Sequence, residues 1–218
     1  MVIANTTAPF AEALEALQRV IFPSLDDAQR FKAPHYHKHL QLFPEGQFVA
    51  LLGDRVVGAT STIRRHFDFG HADHDFNAII QGGWLTSHEP DGDWLYGADL
   101  GVDPAFRGRG IARALYAARQ QLVWGLRLRG QLAAGMLSGY GARQHEMSAE
   151  AYLDALRSGT LNDPTLSMQQ RMGFQLRQLL ADHVRDPLCA DYSVLIVLDA
   201  ATEIPGAERP AGDTRTTA

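Results

Sequence analysis

The chain has 218 residues, with 20 Lys and Arg against 25 Asp and Glu and a formal net charge of -5. At about 100–200 residues per domain this is one domain. Apolar residues at 45% and charged residues at 21% suit a buried core and exclude a disordered chain. The acidic balance argues against a general nucleic-acid binder, although protonating all nine histidines would carry the charge from -5 to +4 (-5 + 9). Cys189 is the sole cysteine, which leaves no intrachain disulfide and no thiolate zinc cluster. Residues 1–10 carry no Lys or Arg, and no later run approaches about 18 apolar residues. Neither a signal peptide nor a membrane span is expected, and the expected location is cytoplasmic.

Phe10, Leu14, Leu17 and Ile21 recur at helical spacing and stop at Pro23, predicting a first helix over 9–21. A weaker helix is expected over 25–40. Residues 47–52 and 56–63 read as strands joined by Gly53-Asp54, a pair that favours a tight antiparallel hairpin. Residues 66–75 read as a loop and 78–85 as another strand, followed by the turn signal Pro90-Asp91-Gly92. The apolar stretch 94–102 has strand length, and Ile111, Leu115, Ala118, Leu122 and Leu126 define one face of a long helix. Then come a strand over 131–137, a loop over 139–146, short helices over 148–156 and 164–172, and strands over 175–184 and 192–198. Residues 1–200 are expected to form the domain and 201–218 a disordered tail.

The chemistry concentrates where the 94–102 strand runs through Asp103-Pro104 into Arg107-Gly108-Arg109-Gly110-Ile111-Ala112. Gly108 and Gly110 allow a tight turn and close approach of a ligand to backbone. The helix that starts there offers unpaired N–H groups and a positive dipole end, a site suited to a pyrophosphate. The turn matches neither GxxxxGK[ST] nor GxGxxG.

This segment resembles the GNAT superfamily of acetyl-CoA-dependent N-acetyltransferases, whose [RQ]-x-x-G-x-[GA] signature is matched by Arg107, Gly110 and Ala112. The wider run from Val102 to Ala112, and Asn162 followed by Gly173-Phe174, also fit the family pattern. Gly139-Tyr140, His145 to Tyr152 and Asp163-Pro164 resemble a subgroup often fused to a carbon–nitrogen hydrolase domain, which is not expected within these 218 residues.

The resemblance implies an α/β (α+β) fold: a mixed, mostly antiparallel, splayed sheet of about seven strands with helices on both faces. It implies acetyl transfer from acetyl-CoA to a primary amine, of a small molecule or a protein, by direct attack in a ternary complex. Leu100, Gly101 and Val102 would line the pantetheine arm, Gly108 to Ala112 would cradle the pyrophosphate beside Arg107 and Arg109, and Asn162 would contact the pantetheine. Dimerisation is a family habit with no support in these residues.

A protonated amine with a pKa of about 10.4 must lose a proton before attack. The position where the family often carries Glu is Tyr96 here. Asp99 is the strand's only carboxylate; strict alternation places it opposite Tyr96, Ala98 and Leu100, and a bulge would reverse that. His145 and Glu146 are the other candidate bases. The family's usual Tyr near the leaving thiolate is Gln169, which donates a hydrogen bond but no proton; Tyr140 is the candidate substitute. Rival readings are a GNAT-like acyl-CoA sensor or partner module without turnover, and a nucleotide-binding regulator.

No metal is expected. His35, His37 and His39 read as surface histidines, and His71 and His74 as part of a solvated loop. Asp68, Asp73 and Asp75 read as a solvated face that could also attract a cationic acceptor. Cys189 reads as a small buried residue, and Trp84, Trp94 and Trp124 as core.

Overall fold

The computed structural model describes residues 1–209. Its centre is one seven-stranded sheet in the order β1-β2-β3-β4-β5-β7-β6. The strands are β1 (Val2–Asn5), β2 (Phe48–Leu52), β3 (Arg55–Arg65), β4 (Trp94–Val102), β5 (Gly130–Met136), β6 (Gln175–Leu180) and β7 (Ser193–Asp199). All neighbours pair antiparallel except β4 and β5, which are parallel. The expected mixed, mostly antiparallel sheet is therefore the observed one.

Among the described residues six α-helices flank the sheet: α1 (Ala11–Ile21), α2 (Ala33–Leu42), α3 (Phe76–Ile80), α4 (Ile111–Gly125), α5 (Ala149–Arg157) and α6 (Leu166–Arg171). On one face Leu14, Leu17 and Ile21 of α1, Tyr36 of α2 and Ile79 and Ile80 of α3 pack with Val49, Ile63 and Tyr96 of the sheet. On the other, Tyr116 and Ala117 of α4, Leu153 and Leu156 of α5 and Leu166 of α6 pack with Ala133, Val194, Ile196 and Leu198. Phe174, on the loop before β6, closes this second core.

Parallel pairing of β4 with β5 covers only Trp94–Gly97 against Gly130–Ala133. Among the described residues, beyond that point β5 pairs only with β7 and the rest of β4 only with β3, so the sheet forks. A bulge sits at the fork: Ser61 pairs with Asp99 and Thr62 with Gly97, leaving Ala98 as the extra residue.

Several expected elements are corrected. β1 is a short edge strand that no sequence signal announced. Residues 25–32 do not join α2; Asp26 accepts from Ala28 N and caps a single 3-10 turn there. The strand expected over 78–85 is instead α3 and a turn. Asp75 accepts from Ala78 N to cap α3, and Gln81, Gly82 and Gly83 take positive φ and end it. The buried face of α4 is wider than the expected stripe, for it includes Tyr116, Arg119, Gln120, Val123 and Trp124. Packing does not stop at residue 200. Ile204 is buried, Gln120 Nε2 donates to Thr202 O at 2.9 Å, and Arg209 Nη2 donates to Ala201 O at 2.9 Å. Residues 210–218 of the expected tail lie outside the described residues.

Candidate active site

Burial along β4 picks out the site. Every residue of the strand is buried except Asp99 and Leu100, which lie just past the last pair with β5. Asp103 N donates to Val57 O of β3 at 2.9 Å, and Asp99 O accepts from Thr60 Oγ1 at 2.6 Å. Alternation of the strand backbone then turns the polar groups of Leu100 and Val102 toward the open side of the fork. Arg107 Nε reaches that side too, donating to Val102 O at 3.3 Å. Gly101 lies against α1, where a Cβ would meet Ile21.

The turn after β4 has the shape its glycines require. Gly108 and Gly110 have φ of 75° and 78°, a region that costs an L-residue about 1 kcal/mol or more. Gly110 is the N-cap of α4 and no side chain among the described residues caps the helix, so its first N–H groups face outward, Ile111 and Ala112 among them. Arg107 and Arg109 are exposed beside it, and Arg109 rests over the Phe106 ring at 5.2 Å. An uncapped helix start, two glycines without Cβ and flanking guanidiniums fit a pyrophosphate.

The bulge decides where Asp99 points. Both Ala98 and Asp99 turn to the α1 side: Ala98 packs in the core there, and Gln18 Nε2 of α1 donates to Asp99 Oδ2 at 2.6 Å. Ser61 N donates to Oδ1 at 2.6 Å. Asp99 thus shares the face of Tyr96. Burial pushes its pKa up from 3.8 to about 6, against the opposing pull of the Ser61 and Gln18 hydrogen bonds. A carboxylate poised there is a proton acceptor at neutral pH. Gln18 is part of this site and was not foreseen, because a glutamine inside a helical stripe carries no signal of what it faces.

Tyr96 is fully in the core, its hydroxyl 2.9 Å from His74 Nε2. His74 Nδ1 lies 2.7 Å from Ala72 O and so carries the ring proton, leaving Nε2 to accept from Tyr96. His183 is buried beside it, ring to ring at 4.9 Å. His74 is therefore not part of a solvated loop. His39 is likewise a core residue, bonded to Gly83 O at 2.7 Å, and burial lowers its pKa to about 4. Trp84 is 45% exposed, whereas Trp94 and Trp124 are core. Cys189 is buried, its thiol pushed up to about 12 by burial. Among the described residues no three His, Cys, Asp or Glu side chains form a metal-binding group, and no helix is long and apolar enough to cross a membrane.

The other candidates lie beyond the end of β5. Tyr140 is buried between Tyr152 and Tyr192, at 5.5 and 5.6 Å, and donates to Met147 O at 3.2 Å. His145 and Glu146 are exposed in the same loop. Among the described residues no side-chain hydrogen bond or ion pair joins these two to β4. Asn162 is exposed, directly before the buried Asp163. Asp163 Oδ1 accepts from Thr165 N and Leu166 N, and Oδ2 from Gly139 N and Tyr152 Oη, at 2.8 to 3.2 Å. It ties the loop after β5 to α5 and α6. Gln169 is buried on the second face, where its Nε2 donates to Tyr116 Oη at 2.7 Å.

The sheet forks at one parallel pair, and a glycine turn at the mouth of the fork leads into the start of α4. The model of the acetyltransferase (GNAT) family matches residues 11–132, and the chain belongs to that family. It is 32% identical over 186 residues to the probable hydrolase YhcX of Bacillus subtilis (strain 168), covering 85% of this chain and 36% of YhcX. The chain therefore spans about a third of that relative, in keeping with the hydrolase-fused subgroup. It is 29% identical over 197 residues to the uncharacterized N-acetyltransferase YkwB of the same organism, covering 90% of this chain and 87% of YkwB. Among solved structures it resembles the GphF GNAT-like decarboxylase in complex with isobutyryl-CoA, with a TM-score of 0.76, 21% identity, and coverage of 92% of this chain and all of that one. It also resembles the loading GNATL domain of CurA from Lyngbya majuscula, with a TM-score of 0.75, 19% identity, and coverage of 91% and 97%.

Proposed function

We propose that this protein transfers the acetyl group of acetyl-CoA to a primary amine by direct attack, with Asp99 as the base. The single observation behind this reading is that β4 becomes accessible only at Asp99 and Leu100, where the sheet forks. In the proposal the Gly108–Ala112 backbone and Arg107 and Arg109 hold the pyrophosphate. The pantetheine arm lies along Leu100, Gly101 and Val102. The amine approaches from the α1 side and gives its proton to Asp99, and the Val102 N–H stabilises the oxyanion. A base with a pKa of about 6 is ionised at pH 7 yet still basic enough to draw the proton as the N–C bond forms. Asn162 and Gln169 flank the arm from the α6 side. Tyr140, bonded to Met147 O, serves the fold of its loop rather than the reaction.

The test is thiol release from acetyl-CoA with a panel of primary amines, small and peptidic. Amine-dependent CoA release supports the reading; acetyl-CoA that binds but is never turned over returns the protein to the sensor class. The comparisons favour one second reading. The likenesses at TM-scores of 0.76 and 0.75 are to a decarboxylase and a loading domain, against 0.53 and 0.56 for two ribosomal-protein-alanine N-acetyltransferases. Carbon dioxide released from a carboxyacyl-CoA without any amine would favour that chemistry.

A further inference from the structure

Beneath the fork, on the face opposite Asp99, lies a group of polar side chains that the fold leaves incompletely paired. Arg119 of α4 is 1% exposed, yet its Nε and Nη2 have no hydrogen-bond partner among the described residues. Its guanidinium lies against Gly97, the last β4 residue paired to β5; a Cβ there would sit 2.3 Å from Nη2. It also lies over the Tyr116 ring at 5.0 Å. Tyr116 Oη accepts from Gln169 Nε2, and no hydrogen bond of the described residues uses its own proton. Asp99 attracts it from across the strand, but a buried cation with no hydrogen-bonded counter-ion still costs several kcal/mol, and its unpaired donors beneath the fork suit a place where negative charge arrives.

Resting on the acyl-CoA reading above, the arm gives that charge an identity. From Val102 back to Gly97 the strand runs five residues, about 17 Å. A pyrophosphate held at the turn and a pantetheine laid along this edge bring the sulfur to the fork, above Arg119 and Tyr116. We infer that Arg119 and Tyr116, with Gln169 orienting the latter, form a hole for the departing CoA thiolate.

The reaction then divides between the faces of the sheet. On the α1 face the amine nitrogen forms its bond to the acyl carbon and its proton passes to Asp99. On the α4 face the C–S bond breaks and its electron pair stays on sulfur. There the sulfur accepts hydrogen bonds from Arg119 and the Tyr116 hydroxyl. Tyr116 keeps its proton, since burial raises its pKa above that of an ordinary phenol, well above the about 8.5 of a thiol. The thiolate takes a proton from water as CoA leaves. The charged and titratable groups facing this point are Arg119 and Tyr116 from α4 and, from β4, Tyr96 and Asp99 on the far side of the strand. Gln169 is the contribution of α6. Only Asp99 opposes a thiolate, and the strand backbone stands between them.

The experiment is a pH titration of bound CoA, carbon-13-labelled beside the sulfur, read by NMR under saturation. The expected result is a thiol titrating at least about one unit below the ordinary about 8.5, a tenfold or greater gain in thiolate. Tyr116→Phe should return part of that shift and Arg119→Met most of it, with CoA still bound in both. A wild-type thiol that titrates as in free CoA overturns the inference while leaving the acyl-CoA reading intact. So does a shift that survives both substitutions. Absence of CoA binding overturns the acyl-CoA reading and this inference with it. If Arg119→Met fails to fold, wild type and Tyr116→Phe still decide.

Discussion

Asp99→Asn separates the cost of the site from its chemistry. In the folded protein the carboxyl titrates near 6, against 3.8 for the ordinary group, because burial opposes ionisation more than Ser61 and Gln18 favour it. About two pKa units at 1.36 kcal/mol each come to about 3 kcal/mol. The folded state binds the proton more tightly than the unfolded one. The penalty is therefore absent below pH 3.8, grows between 3.8 and 6, and is complete above 6. Asn can still accept from Ser61 N, and turning the Gln18 amide gives its new donor a partner. Urea denaturation of both proteins at pH 8 and pH 4 should show the variant more stable by about 2–3 kcal/mol at pH 8 and nearly equal at pH 4. Its acetylation rate should fall about 10²–10⁴-fold, and the limb of the pH–rate profile near 6 should vanish. A variant no more stable than wild type at pH 8 would refute the burial argument, and an unchanged pH–rate profile would remove Asp99 as the base.

Gly110→Asp should abolish acetyl-CoA binding by setting a carboxylate against the pyrophosphate, whereas Gly110→Asn, tolerant of φ 78°, should bind weakly; calorimetry separates the two. Gly97→Ala should destabilise by about 1–3 kcal/mol, read as a lower denaturation midpoint, because its Cβ would fall 2.3 Å from Arg119 Nη2. Asp163→Ala strands the Gly139, Thr165 and Leu166 amides and the Tyr152 hydroxyl, and should cost about 3 kcal/mol or more in denaturant unfolding. His39 and His183 are buried neutral, with pKa lowered from 6.5 to about 4. Each contributes stability that is complete above pH 6.5 and lost as pH falls toward 4, about 3 kcal/mol apiece. Asp99 acts in the opposite sense over part of that range. His39→Leu should flatten the fall in unfolding free energy between pH 6.5 and 4.

Periodicity and turn chemistry located α1, the β2–β3 hairpin, β4, the glycine turn, α5, α6 and the last strands, because those segments bury one face and end at Pro, Gly or a capping residue. β1 escaped because four edge residues carry too little pattern. The segment 78–85 misled because Ile79 and Ile80 look the same in a strand as in one buried turn of helix; the Asp75 cap was the available clue. The site was legible as a turn and a list of residues, but not as a geometry. Whether Asp99 faced α1 or α4 depended on one extra residue in β4, which alternation cannot reveal. Arg119 and Gln120 were passed over because a hydrophobic stripe counts only apolar positions, and buried polar residues break it. His39 and His74 looked solvated for the same reason, since their partners are a backbone carbonyl and a tyrosine distant in sequence.

The central claim is that the fork and the glycine turn hold an acyl-CoA. Calorimetric titration of the protein with acetyl-CoA, with CoA and ATP in parallel, tests it most directly. The account predicts saturable binding of acetyl-CoA and CoA, no binding of ATP, and loss of CoA binding in Gly110→Asp. Heat from ATP alone, or from none of the three, would contradict it and leave the turn a structural feature of the fold.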